Sequence, residues 1–201
     1  NISIVHKVTG SSRTFMGEEG AGISAIKTAH SRIASGQSDI VLVGGAFNGE
    51  REDMLLLFEL GQYVATGDLK SIWQRTGEEA GMNLGSVGAF MVLESQTSAQ
   101  KRGVKPYGEL AAVAADHGTR TDNAASDRLT TALQHFEHHS VDSILSGASG
   151  VEDITEEEKK WLGNTFPDQP VRAYGSMTGH AVEAQFPLGV ALAAIAARRG
   201  E

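Results

Sequence analysis

One continuous stretch of the chain, residues 14–46, most restricts the folds that it can adopt. It contains a Gly-rich turn, then apolar residues at helical spacing, then Gly36, and then the uninterrupted apolar segment 40–43. The spacing predicts an amphipathic helix, and a glycine after its last apolar residue is typical of a helix end. A strand without alternation is expected to be buried on both faces, as in a parallel sheet that helices cover.

The predicted helix begins beside two acidic residues, Glu18 and Glu19. Unpaired backbone N–H groups and the helix dipole stabilise negative charge at a helix N-terminus, which makes it a good place for a reacting group. The sequence offers carboxylates there and no nucleophile. Acidic residues in a first helical turn are also ordinary, and they offset about 0.3–1 kcal/mol of dipole energy. Glu19 is therefore expected either to stabilise the helix start or to belong to a site.

Further strands and helices alternate along the chain, which predicts the α/β class. Strands are predicted at residues 88–94, 107–115, 141–145 and 171–174, and helices at residues 95–102, 127–138, 154–162 and 181–198. Residues 54–58 are apolar and predict a buried helical turn. Residues 63–83 are rich in glycine and charge without a clear period, which predicts a long loop with short helices. Loops of that length are uncommon unless they have a function.

Composition and charge exclude several functional classes. The 201 residues have a net charge of −8, which argues against a nucleic-acid-binding surface. The absence of cysteine excludes disulfides, thiolate catalysis and cysteine-ligated metals. No apolar run is long enough for a membrane span, and the first residues lack the features of a signal peptide. We therefore expect a cytoplasmic protein and, because the chain does not begin with methionine, a piece of a longer one.

Three other patterns indicate chemistry only weakly. His135 and His139 share a helix face suited to Zn²⁺ and His138 lies beside them, but no third ligand is nearby, so a surface cluster is expected. Ser149 lies in a run that lacks the G-x-S-x-G pattern of a nucleophile elbow. Residues 17–22 read G-x-x-G-x-G, the wrong order for a dinucleotide loop. The sequence thus predicts no cofactor and no metal.

Three stretches together resemble the β-ketoacyl-acyl-carrier-protein synthases, the condensing enzymes of the thiolase fold. Residues 17–45 end in G-Q-S-D-I-V-L-V-G-G, and residues 81–94 lead into a strand. Met177-Thr178-Gly179-His180 matches the family's M-T-G-H motif and is the most specific of the three. The resemblance implies a thiolase-like layered α/β fold, of which the chain is a central fragment. Residues 1–80 are expected to end the N-terminal half of one incomplete unit, and residues 81–201 to begin its C-terminal half.

The resemblance also implies where the catalytic groups of the family fall in this sequence. The family uses a cysteine nucleophile at the N-terminus of a buried helix, together with two histidines. Carried over by position, the cysteine falls on Glu19, the first histidine near Gly147, and the second on His180, which is present. The lysine expected before the M-T-G-H motif falls on Gly175. The small residues that follow the family's histidine are replaced here by Glu183, Gln185 and Phe186.

These departures predict a protein whose catalysis is lost or impaired. Acyl transfer through a covalent intermediate needs an activated nucleophile, and a carboxylate is a poor one because its acyl anhydride hydrolyses quickly. The loss of one member of a cooperating catalytic group costs orders of magnitude in rate. The chain is similar in this respect to chain-length-factor-type subunits, the relatives that lack the cysteine and shape the acyl tunnel of an active partner. The resemblance therefore implies acyl carrier protein, acyl chains, and a homodimer or a heterodimer with a competent synthase.

Two alternative functions remain open from the sequence. A residual decarboxylase or hydrolase would use Glu19 as a base with His180, and it needs these side chains within about 3–5 Å of each other. A module that binds acyl ligands or an acidic carrier protein would need a basic patch, which Lys101, Arg102 and Lys105 offer.

Overall fold

The computed structural model describes residues 2–118, 124–136 and 140–200. The helices are α1 (Ile2–Val5), α2 (Glu19–Ala34), α3 (Glu52–Leu60), α4 (Gln96–Arg102), α5 (Ala124–Leu133), α6 (Glu152–Thr165), α7 (Gly175–Thr178) and α8 (Gln185–Arg199). The strands are β1 (Ile40–Phe47), β2 (Val87–Glu94), β3 (Ile144–Ser146) and β4 (Val171–Ala173). Short 3-10 helices lie at Ile72–Gln74, Gly77–Glu79, Gln134–Phe136 and Val182–Ala184. The predicted α/β class is confirmed, and no helix in the described ranges has the length and apolar content that crossing a membrane requires.

The helix and strand that dominate the sequence form the centre of the larger core. Gly36 lies just beyond α2 with a φ of +71°, a left-handed conformation in which the chain leaves the helix. Ile26 and Ala29 of α2 are buried against Val43 of β1. Phe186 of α8 is partly buried and packs against the same cluster. The helix, the strand and the glycine between them thus agree with the sequence pattern.

β1 and β2 pair antiparallel along their whole lengths. β1 precedes residue 80 and β2 follows it, so the pair joins the two expected halves of the unit. Successive side chains of a strand point to opposite faces of the sheet. One face of this pair packs against the core cluster, whereas the other face is 48–59% exposed at Ile40, Leu42, Phe90 and Val92. The prediction of a parallel strand buried on both faces is therefore wrong for this chain, because no described element covers the second face.

A second, parallel pair joins β3 to β4 and anchors the long loop. Ile72, in the first 3-10 helix of the loop, is buried with Ala148 and Ala173 next to these strands. Arg75 is 4% exposed, and its Nη1 donates to the carbonyl oxygen of Gly81 over 3.0 Å. The predicted loop with short helices is present at residues 63–83, and a buried guanidinium helps to fix its path.

The ends of α4 and α8 follow the local signals in the sequence. The hydroxyl oxygen of Ser95 accepts the backbone N–H of Ser98 at the start of α4. Gly103 ends α4 with a φ of +66°, and Gly200 ends α8 with a φ of +74°. These ends depend on residues that are adjacent in sequence, so they can be predicted without knowledge of the fold.

Two segments predicted to be buried differ in the structure. Residues 107–115 form no strand, although Leu110 and Val113 pack against the larger core. α3, predicted as a buried turn over residues 54–58, has no buried residue, and Leu56, Leu57 and Leu60 are 57–76% exposed. Apolar composition predicts burial, but burial also needs a facing surface, and the described residues supply none beside α3.

The backbone at Gly179 ties the M-T-G-H motif to the fold. Its φ of +72° and ψ of −178° lie in a region that essentially only glycine adopts. A Cβ at this position would also lie 2.8 Å from the Cα of Gly85. We expect Gly179→Ala to lower the free energy of unfolding by at least about 1–3 kcal/mol, measured by urea denaturation.

Gly163→Ala is the matched control for this prediction. Gly163 lies in α6, and a Cβ there would meet no other atom within 4 Å. Alanine is the better helix former by about 1 kcal/mol, so this variant is expected to be at least as stable as the unchanged chain. Equal losses of stability in both variants would show that the backbone at Gly179 has no special role.

Candidate functional site

The N-terminal ends of α2 and α8 lie against each other because glycines allow their backbones to approach. A Cβ at Gly22 of α2 would collide with the carbonyl oxygen of Glu183 and lie 2.6 Å from Cδ of Pro187. A Cβ at Gly45 of β1 would lie 3.3 Å from the Cα of Ala184. The turn before α8 therefore lies directly against α2 and β1. This contact brings a segment near the start of the chain together with a segment near its end.

Glu19 and His180 meet at this contact. The Oε1 atom of Glu19 lies 2.8 Å from Nε2 of His180, although the residues are 161 positions apart. His180 is 2% exposed, whereas the Glu19 side chain is 47% exposed at the first position of α2. Which of the two atoms donates depends on the tautomer of His180; an ionised carboxylate can only accept, and in that case Nε2 carries the hydrogen. The structure therefore pairs two of the three predicted site residues.

Backbone hydrogen bonds fix the position of His180. Its N–H donates to the carbonyl oxygen of Asn83 over 2.7 Å, and its own carbonyl oxygen accepts the N–H of Gly85 over 3.0 Å. These bonds form a parallel bridge between His180 and Leu84. Two of the stretches that carry the family resemblance, residues 81–94 and the M-T-G-H motif, therefore meet at the histidine.

The turn after His180 is strained and is held by a buried amide. Val182 has a φ of +42°, which is unfavourable for a β-branched residue. Gln185 is 3% exposed, and its Oε1 accepts the backbone N–H of Ala181 over 2.9 Å. Strained backbone persists only where the surrounding structure determines it, and it concentrates at functional sites. The amide of Gln185 is part of that surrounding structure.

The third predicted site residue, Gly147, lies beside the side chains of Tyr174 and Gln185. A Cβ at Gly147 would lie 3.0 Å from the hydroxyl oxygen of Tyr174. Gly175, the position that the resemblance gives to a lysine, faces Ile72, and a Cβ there would lie 2.9 Å from its Cδ1. Both distances are shorter than ordinary contacts, so neither position has room for a large side chain without movement of its neighbours.

A polar cluster of buried and partly buried side chains lies behind Gly147. The hydroxyl of Ser146 donates to Oε1 of Glu158 over 2.6 Å, and the hydroxyl of Tyr174 donates to the carbonyl oxygen of Gln185 over 2.7 Å. Burial raises the pKa of Glu158 above its ordinary value, although the bond from Ser146 acts in the opposite direction. Burial, and then the nearby Glu158, raise the pKa of Tyr174. Tyr174 is therefore a neutral hydrogen-bond donor and not a base.

The weaker candidates do not join this site. The hydroxyl oxygen of Ser149 accepts the N–H of Val151 over 3.3 Å, as in a turn. His135 lies in a 3-10 helix, and His138 and His139 lie outside the described residues. Among the residues that the structure describes, no group of three side chains is placed to hold a metal ion.

Sequence reasoning missed the roles of Tyr174 and Gln185. Tyr174 was predicted only as the end of a strand, and Gln185 only as a departure from the family's small residues. That departure was the available signal, because a large amide in place of a small side chain must occupy space near His180. Three buried atoms of the described site have no hydrogen-bond partner among the described residues: Nδ2 of Asn83, Nδ1 of His180 and Nε2 of Gln185.

No protein-family model and no curated protein matches the chain by sequence. Solved structures match it in fold. A type II polyketide synthase acyl-carrier protein in complex with its ketosynthase, bound to a hexaketide, is 21% identical with a TM-score of 0.81 over 97% of this chain and 52% of that one. The ishigamide ketosynthase/chain length factor is 26% identical with a TM-score of 0.77 over 94% and 48%. A β-ketoacyl synthase from Burkholderia phymatum STM815 is 19% identical with a TM-score of 0.80 over 98% and 51%.

The chain has the ketosynthase fold. The predicted thiolase-like layered α/β architecture is thereby confirmed. The chain spans about half the length of each of these three structures. A shared fold supports many chemistries, so the activity has to be argued from the side chains of the site.

Removal of the Glu19 carboxylate is expected to destabilise the chain. Glu19→Ala leaves Nε2 of the buried His180 without this acceptor, at a cost of about 1–2 kcal/mol in the free energy of unfolding. Glu19→Gln keeps an acceptor oxygen and should lose less. Glu18→Ala is the matched control, since the exposed Glu18 side chain makes no capping hydrogen bond. Equal effects of Glu18→Ala and Glu19→Ala in urea denaturation would contradict the pairing.

The raised pKa of Glu158 predicts a pH dependence of stability. The folded chain binds this proton at a higher pH than the unfolded chain does, so stability increases as pH falls through the folded pKa towards the unfolded one. Glu158→Gln should stabilise the chain above that range and flatten this part of the profile. Glu156→Gln, at an exposed position of the same helix, should not stabilise it. Thermal unfolding from pH 4 to 8 measures the difference, and an unchanged profile in Glu158→Gln would contradict the assignment.

Proposed function

We propose that the chain belongs to a β-ketoacyl-acyl-carrier-protein synthase homologue of fatty-acid or related acyl-chain synthesis that has lost its nucleophile. The protein acts as a non-catalytic subunit that pairs with a competent synthase. The observation that carries the proposal is the 2.8 Å contact between Glu19 and His180. A carboxylate, which forms no stable acyl-enzyme, is the group that faces the histidine of the M-T-G-H motif.

The surroundings of Gly147 support the same proposal. The resemblance gives this position to a second histidine, which would assist in decarboxylation and steady the enolate. The nearest groups to a Cβ at Gly147 belong to Tyr174 and Gln185. A neutral phenol with a raised pKa and an amide do not exchange protons readily near neutral pH, so neither replaces an imidazole.

The proposed partners follow from the likeness to ketosynthases. One similar structure is named as a ketosynthase/chain length factor, and another as an acyl-carrier protein in complex with its ketosynthase. By analogy, we propose acyl carrier protein, acyl chains and a dimer with a competent synthase as partners, and the cytoplasm as location. The division of the unit at residue 80 also remains a proposal.

A condensation assay tests the proposal directly. The full-length protein is incubated with acyl- and malonyl-carrier protein, alone and mixed with a competent synthase from the same cell. We expect no product from the protein alone, and in the mixture a faster reaction or a changed product length relative to the synthase alone. Condensation by the protein alone would overturn the proposal.

A residual decarboxylase is a second candidate, favoured by the same contact. The distance between Glu19 and His180 is within the range that this chemistry requires, and the Glu19 side chain is partly exposed. If the protein decarboxylates malonyl-carrier protein, Glu19→Gln should lower the rate by at least about 10²-fold, the scale of general acid–base catalysis. Glu18→Gln is the control and should keep the rate. An unchanged rate in Glu19→Gln would exclude this candidate.

The expected basic patch gives less support to a pure binding module. Arg102 donates to both carboxylate oxygens of Glu94 over 2.9 and 2.8 Å, which lowers the pKa of Glu94 and engages the guanidinium within the chain. Lys101 and Lys105 alone make a weak surface for an acidic partner. Carrier-protein binding is therefore proposed only as part of the paired synthase.

A further inference from the structure

The side chain of Gln185 lies between two glycines that are distant in sequence, Gly147 and Gly175. Gly147 follows β3, and Gly175 begins α7 after β4. A Cβ at Gly147 would lie 3.6 Å from Cγ of Gln185, and a Cβ at Gly175 would lie 3.4 Å from its Nε2. These are contact distances, so the Gln185 side chain fills part of the space towards which side chains at both positions would point; the nearest atoms are the hydroxyl oxygen of Tyr174 at Gly147 and Cδ1 of Ile72 at Gly175.

Tyr174 closes the same space from another side. Its hydroxyl donates to the carbonyl oxygen of Gln185 over 2.7 Å and lies 3.0 Å from a Cβ at Gly147. It also packs against α8 at Gly189, where a Cβ would lie 2.8 Å from the hydroxyl oxygen. Tyr174 is 9% exposed and Gln185 is 3% exposed, so both belong to a packed interior.

The oxygen and the nitrogen of the Gln185 amide differ in their hydrogen bonding. Its Oε1 accepts the N–H of Ala181, whereas its buried Nε2 has no hydrogen-bond partner among the described residues. An unpaired buried N–H is costly, so hydrogen bonding at Nε2 does not account for a glutamine here. The volume of the side chain and its acceptor oxygen account for the glutamine. The Nε2 end occupies space beside Gly175, and Oε1 holds the turn after His180.

We propose that Gln185, together with Tyr174 and Ile72, occupies the space that the resemblance gives to a histidine at position 147 and a lysine at position 175. The inference rests on the proposed function for the identity of those two positions, and it deepens that proposal. On this proposal the catalytic side chains of the family are absent, and other side chains occupy the space that they would need. A histidine restored at Gly147 alone therefore meets an occupied interior.

A size-exchange experiment on the full chain tests this inference. Gly147→His alone should lower Tm, and so should Gln185→Ala alone, which loses the bond to Ala181. The double variant should have a Tm roughly 2–4 °C higher than that of Gly147→His. In a chain of this size, such a shift corresponds to about a fivefold change in the unfolding equilibrium. Ile26→Val, which makes space in the other core, is the control and should give no rescue of Gly147→His.

Imidazole serves as an independent probe, which decides the matter even if Gly147→His does not fold. In Gln185→Ala, imidazole should enter the space left by the amide and shift the backbone amide resonances of Ala148 and His180. The unchanged chain and Ile26→Val should show no such shifts. A double variant no more stable than Gly147→His, or imidazole shifts that are absent or equal in all three chains, would overturn the inference.

The failure of this inference can be told from the failure of the proposed function. Tm and imidazole binding depend on packing around Gln185 and need no activity. A protein that condenses acyl chains alone would contradict the proposed function even if Gln185→Ala binds imidazole. Conversely, an inactive subunit in which Gly147→His is tolerated without a second change would contradict only the role of Gln185.

Discussion

The close approach of two helix N-termini is the constraint on which the rest of this site depends. Gly22 of α2 and Gly45 of β1 have no Cβ, so the backbone of residues 183–184 can lie directly against them. This contact sets Glu19, the first residue of α2, against His180, which precedes α8 by one turn. Backbone bonds to Asn83 and Gly85 then determine where the imidazole lies. Backbone packing thus brings the two residues close enough for their side chains to pair.

The interior of the site differs from the arrangement that the family resemblance implies. A family enzyme needs a nucleophile and a second imidazole; this chain has a carboxylate at Glu19 and a glycine at position 147. The space around that glycine holds Tyr174 and Gln185, and Ser146 and Glu158 form a hydrogen-bonded pair behind it. These hydrogen bonds hold the side chains in one arrangement, but an amide and a neutral phenol are not bases near neutral pH.

The sequence predicts those parts of the structure that local chemistry decides. The helix α2 with Gly36, the caps Ser95 and Gly103, and the irregular course of residues 63–83 with its short helices all follow from neighbouring residues. It fails where burial depends on distant surfaces, as for Leu42 in β1 and for α3. The sequence identifies His180 through the M-T-G-H motif and Glu19 by its position in the resemblance. The contacts of Gln185 with Gly147 and Gly175 depend on the fold, which brings these distant residues together.

Long-range ¹⁵N–¹H NMR of the full chain shows which nitrogen of His180 carries the hydrogen and whether that nitrogen is hydrogen-bonded. We expect Nε2 to carry a hydrogen that it donates to Glu19, and the Nε2 resonance to shift in Glu19→Ala but not in Glu18→Ala. A neutral imidazole with its hydrogen on Nδ1, or a spectrum that Glu19→Ala leaves unchanged, would contradict the pairing on which both the proposed function and the architecture of the site depend.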